Sequence, residues 1–271
     1  MKKLIISIIL ILGGAAIFVF GNPYYSVFPT NQNQNYVLVI TGFFLIIAVL
    51  LKRGQSLSTY APAAYALFIA SAALLFMSTG ILNLHNRTMP PLQFIAVDKF
   101  SQFLHVVPVI LGLTLIAKGD LKSIFLGKGK LKRGLSFGLV SFAIWTTLAL
   151  VLGLNAGDLL TSPSAAIPWL LLFIFANAFM EELWFRGIFL RPYETLIGRN
   201  AAIIVTGLVF GASHINATYE FPGGGLVLGL VVTVLGMIGA YSMYKTDGWI
   251  GPVLFHAGYD LLVILPVLDT V

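Results

Sequence analysis

The sequence predicts an all-α fold, a polytopic membrane bundle of about eight or nine transmembrane helices. Composition is the first reason: 58% of the 271 residues are hydrophobic and 10% are charged, with a mean hydropathy of +0.95. A soluble domain carries about 25% charged residues. The second reason is pattern, because apolar runs recur along the chain and basic residues gather in the short loops between them. The net charge of +6 therefore reports membrane topology, with a lipid bilayer as partner and no nucleic acid. The absence of cysteine excludes disulfides, thiolate metal sites and a cysteine nucleophile.

The first apolar run, Leu4 to Phe20 behind Lys2 and Lys3, has the outline of a signal peptide. No small-x-small cleavage site follows it and many spans come after, so it is read as an uncleaved first helix. Eight more runs cover about 36–51, 61–82, 100–117, 135–154, 168–186, 201–217, 224–244 and 250–268. Several are shorter than the ~20 residues a perpendicular helix needs, which leaves room for one re-entrant segment. With the N-terminus cytoplasmic, the inner loops hold Lys2, Lys3, Lys52, Arg53, Lys118, Lys122, Lys128, Lys130, Lys132, Arg133, Arg191, Arg199 and Lys245. The outer side holds Arg87 and Lys99, and thirteen against two is a strong positive-inside bias. Asn31 to Asn35 reads as a polar outer loop. Gly134 with Gly138, and Gly225 with Gly229, read as places where helices pack closely. Trp169, Trp184 and Trp249, near segment ends, read as interfacial anchors. Residues 1–160 are taken as N-terminal membrane helices and 161–271 as a catalytic core within one continuous bundle.

Three apolar runs carry charge or histidine. Met180 is followed by Glu181 and Glu182, with Arg186 four residues after Glu182. A charge at the bilayer centre costs roughly 2.5–3.5 kcal/mol on insertion scales, so three such groups in one span need a reason. Glu182 and Arg186 share a helix face and can pair. Glu181 lies about 100° around the helix with no partner in its own segment. Phe210 and His214 are four apart, as are His256 and Asp260, and Gly211 and Gly258 keep the histidine surroundings slim enough to admit an extended peptide. One glutamate and two histidines from three helices are the parts of a water-activating site: a base, a group to hold the water, and donors for an oxyanion. His105 reads as an interhelical hydrogen-bonder, and His85 as a loop residue.

Glu-Glu-x-x-x-Arg, Phe-x-x-x-His and His-x-x-x-Asn/Asp, in this order on membrane helices, resemble the CPBP family, which holds type II CAAX prenyl endopeptidases and bacterial proteins of bacteriocin processing and self-immunity. The resemblance covers about 181–260. It implies an intramembrane endopeptidase acting on a peptide or protein substrate, either membrane-associated or free, while the Lys2-Lys3 start and compact loops point to a bacterial cell membrane. Glu181 would activate the water, His214 would help to hold it, and His256 with residue 260 would stabilise the oxyanion, with Glu182 and Arg186 in support. Position 260 is Asp260 where the prenyl endopeptidases have Asn, and an ionised carboxylate only accepts hydrogen bonds. Asp260 is then either protonated or used to orient His256.

The cavity is expected to open towards the cytoplasm. For the three groups to meet at one depth, the helix carrying His214 is expected to begin around Pro192. No cofactor is expected; one zinc is the alternative, disfavoured because the candidate ligands lie on three helices and a coordinated Glu181 could not take the proton. The rival functions are a proton-coupled membrane transporter and a non-catalytic immunity or scaffold protein of the same fold.

Overall fold

The computed structural model describes residues 1–22, 30–151, 163–217 and 223–268. Among these the chain is helical and contains no strand. The helices are α1 (Lys2–Phe18), α2 (Thr30–Arg53), α3 (Ala61–Ser78), α4 (Pro91–Ile116), α5 (Leu131–Val151), α6 (Pro163–Glu182), α7 (Leu190–Ile197), α8 (Arg199–Ala212), α9 (Gly224–Thr246) and α10 (Ile250–Leu268). Six stretches are long and apolar enough to cross a membrane: those of α2, α3, α4, α5, α9 and the run from Ser164 to Ile197. Each of the nine apolar runs lies on a helix. Leucine and isoleucine cover lipid-facing surfaces such as Leu226, Leu230 and Val234 of α9, as a bilayer solvent requires.

Helix boundaries depart from the apolar runs where polar residues are helical. Asn31 to Asn35 form the first turns of α2 and not a loop. Asn33 is buried there and donates to the Gly21 carbonyl at 3.3 Å, so the asparagine is a tie between α1 and α2. Helix α4 begins at Pro91, a residue suited to a first turn because its missing N–H is not needed there. That start draws Asp98 and Lys99 into the helix. His105 accepts from the Leu82 N–H at 3.0 Å and lies against Phe76, a structural role as read from the sequence.

The largest departure concerns α6. Its chain does not end at Arg186: a π-helical turn, Leu183–Gly187, leads into α7, an amphipathic helix that buries Leu190, Tyr193 and Ile197. Gly198, at φ 89°, then breaks the chain before α8 begins at Arg199. The expected helix start near Pro192 is thus corrected, because Pro192 belongs to α7. Depth is reconciled differently: α7 moves Glu181 away from the end carrying the basic loops, while His214 lies just beyond the far end of α8. Trp184 consequently is no interfacial anchor. It is buried and its indole N–H donates to the Ala70 carbonyl at 3.1 Å.

The glycines read as packing positions are such. A Cβ on Gly138 would come within 2.7 Å of Leu254 on α10, and one on Gly229 within 2.7 Å of Ile215. Helix α1 packs into the bundle, with Phe18 against Phe185 at a ring separation of 4.1 Å.

Candidate active site

Glu182 anchors the floor of the site. Arg186 Nη1 donates to its Oε1 at 3.0 Å, and the two side chains are 0% and 1% exposed. The pair read from i,i+4 spacing is present. His256 of α10 approaches the same oxygen with Nδ1 at 2.8 Å. A carboxylate held by arginine can only accept, so His256 donates from Nδ1. The Arg186 guanidinium lies 3.8 Å over the Phe210 ring. That ring also meets His214 and His256, at centroid distances of 4.6 and 5.9 Å. Phe210 is therefore the spacer around which the cation and both histidines are set. Helix α9 approaches with bare backbone: a Cβ on Gly236 would meet Arg186 Nη2 at 2.8 Å, and one on Gly239 would meet Glu182 Oε2 at 3.3 Å.

Glu181 turns the other way, into a cavity of about 510 Å³ whose polar lining includes Lys99, Asn177, His214, His256 and Asp260, with Asp98 and Gln102 also on α4. Its Oε2 is 3.5 Å from His256 Nε2 and its Oε1 is 3.7 Å from Lys99 Nζ. His214 sits in the turn after α8, with Nδ1 2.8 Å from the Phe210 carbonyl. A carbonyl only accepts, so Nδ1 carries the hydrogen and Nε2 keeps its lone pair. Asp260 Oδ1 is 3.5 Å from His256 Nε2, and its Oδ2 accepts from Asn177 Nδ2 at 3.1 Å.

All four residues expected at the reaction centre thus line one cavity, and both supporting residues lie beneath it. Two polar neighbours were not singled out from the sequence. Asn177 is one helical turn before Glu181, on the same face of a nearly polar-free run, and that spacing was a usable signal. Lys99 had been placed in an outer loop; only the helix start at Pro91 puts it on a bundle face.

Two expectations fail here. Gly211 and Gly258 do not make room for substrate. Gly211 abuts Thr233 and Gly229 of α9, and a Cβ on Gly258 would lie 3.0 Å from Phe142 of α5, so both serve helix packing. Nor does the cavity open at the end bearing the basic loops. Its rim includes Asn22, just past α1, Met77, next to the end of α3, and Phe94, near the start of α4. These positions mark the opposite end of the bundle.

Among the described residues no three His, Asp or Glu side chains are arranged to hold a metal ion. Both ring nitrogens of His256 already face carboxylates, which fits a proton-handling cluster better than a ligand set.

Residues 163–262 match the family described as "Type II CAAX prenyl endopeptidase Rce1-like". The matched stretch contains every residue of the constellation except Lys99. No curated protein and no solved structure matches the chain.

Proposed function

We propose that this integral membrane chain, whose residues 163–262 match the type II CAAX prenyl endopeptidase Rce1-like family, is an intramembrane endopeptidase using water activated by Glu181. The family supports a CAAX-type membrane protease, with a peptide as substrate. The observation that carries the finer reading is the single cavity wall lined by Glu181, His214 and His256, with Glu181 Oε2 3.5 Å from His256 Nε2.

In this reading a water bridges Glu181 and His214 Nε2. Glu181 takes its proton as the hydroxyl attacks the scissile carbonyl, then returns that proton to the leaving amine as the C–N bond breaks. His256 acts as an imidazolium, with Nδ1–H donating to Glu182 and Nε2–H offered to the developing oxyanion. Asp260 cannot donate when ionised; it accepts from Asn177 and orients His256. The second amide hydrogen of Asn177, on the cavity wall, supplements His256 at the oxyanion. Lys99 adds positive charge beside Glu181, with Nζ 3.7 Å from Oε1. No metal takes part. In this reading the chain lies in a bacterial cell membrane, and the thirteen-to-two cation bias supports a cytoplasmic N-terminus.

The test is cleavage of a peptide library by purified protein beside Glu181→Gln. The variant should lose about 100- to 10,000-fold of the rate, as removal of a general base does, with its melting temperature nearly unchanged. Full activity in the variant ends the base assignment. Elemental analysis of the same active sample decides the metal question: about one equivalent of zinc, lost with activity on chelation and restored by zinc alone, overturns the metal-free mechanism.

A further inference from the structure

We infer that the active-site cavity opens to the extracytoplasmic side, so that the substrate is a peptide segment presented there, on an exported or membrane-anchored protein. The substrate half of this inference rests on the proteolytic reading; the sidedness does not.

Every cation in the chain is accounted for. Of 16 lysines and arginines, thirteen lie at the bundle end formed by the start of α1, the α2–α3 and α4–α5 connections, the α7–α8 region and the end of α9. Arg186 is buried in the site, and Arg87 and Lys99 belong to the other end. A bias of this size identifies the basic end as cytoplasmic.

The cavity is built at the other end. Lys99 lies about eight residues into α4, or about 12 Å along its axis. His214 follows the last residue of α8 by two positions, and Leu228 stands in the first turns of α9. The lining residues on α10 start at His256, its seventh residue, and continue away from the basic end to Ile264. Six of the seven lining segments thus contribute parts at or towards the ends remote from the basic loops, and α6 alone contributes its C-terminal half, which carries Glu181.

The basic end is closed beneath the site. The Glu182–Arg186 pair and the Phe210 ring form the floor, and α7 packs below with Leu190, Tyr193 and Ile197 buried. Tyr244 of α9 donates to the Leu190 carbonyl at 2.7 Å, and Arg191 pairs with Asp247 at 2.7 Å. A second cavity of about 680 Å³ does lie at the basic end, between α2, α3, α4 and α7. It is lined by Lys52, Tyr65 and Arg191 among apolar residues and holds none of the acids or histidines of the site.

The chain has no cysteine, so single cysteines report accessibility without background. Met77→Cys at the cavity rim and Thr88→Cys in the α3–α4 connection should react with a membrane-impermeant maleimide on intact cells. Gln55→Cys and Ser123→Cys, at the basic end, should react only after permeabilisation. The reverse pattern overturns the inference, as does a Met77→Cys protein that labels only once cells are opened. A second arm displays a peptide library on single-span reporters in both orientations. Outward-facing segments should be cut, and not by Glu181→Gln; cutting confined to inward-facing segments also overturns the inference. If neither orientation is cut, the proteolytic reading fails while the labelling still decides the side.

Discussion

At the residue scale the site is a chain of partners, and removing one strands another. Arg186 and His256 both donate to Glu182, and all three side chains are buried. Breaking a buried pair by removing one partner typically costs about 3–5 kcal/mol. Arg186→Ala should therefore reduce folded yield more than Glu181→Gln does, read as detergent-solubilised monomer and melting temperature. Glu182→Gln together with Arg186→Gln should recover much of the loss, and no recovery at all would mean the pair is not the source. Asn177 and Asp260 make a second test. Asn177→Asp sets two carboxylates against each other where an amide now donates at 3.1 Å, losing a hydrogen bond to a charged group worth about 1.5–3 kcal/mol. Exchanging the two, Asn177→Asp with Asp260→Asn, restores one donor and one acceptor and should return most of the stability. An exchange as unstable as the single variant removes the proposed role of the pair. The i,i+4 logic made Glu182–Arg186 legible in advance; Asn177 was legible by the same spacing, whereas Lys99 depends on a helix start that hydropathy does not show.

At the element scale the motifs were readable and the element ends were not. Hydropathy marks where lipid-compatible residues lie, but α2 and α4 extend past their apolar runs because Asn33, Asp98 and Lys99 find partners inside the protein. The π turn at Leu183–Gly187 has no signature in a single sequence, yet it and α7 fix how deep Glu181 sits. π turns recur at functional sites, and this one follows directly on the two glutamates. Close helix approach is the other element-scale device. Gly211 of α8 touches the Gly229 carbonyl and the Thr233 hydroxyl of α9, leaving no space for a side chain. Gly211→Leu should push the helices apart at a cost of about 1–3 kcal/mol. Because Gly211 accepts from the His214 N–H, the same substitution should lower kcat by displacing His214. Unchanged melting temperature and kcat together would show that this contact is not what sets His214.

At the scale of the whole molecule, the bundle class followed from composition alone, but the interlocking of its halves did not. The sequence placed the chemistry after residue 160 and treated the preceding helices as membrane segments. In the structure, Lys99 of α4 reaches Glu181, Phe18 of α1 packs on Trp184 and Phe185, and the Ala70 carbonyl of α3 holds the Trp184 indole. Helix α5 seats Gly134 and Gly138 against α10, behind His256. Residues 161–271 expressed alone would expose these apolar faces and lose a wall of the cavity. They should yield aggregated or inactive protein. Co-expression of residues 1–160 with 161–271, cut between α5 and α6, should give a complex that copurifies through one affinity tag and regains proteolysis, since the lost connection carries none of the contacts named above. Full activity from residues 161–271 without their partner fragment would show that the N-terminal helices contribute nothing to the chemistry, and would remove Lys99 from the site.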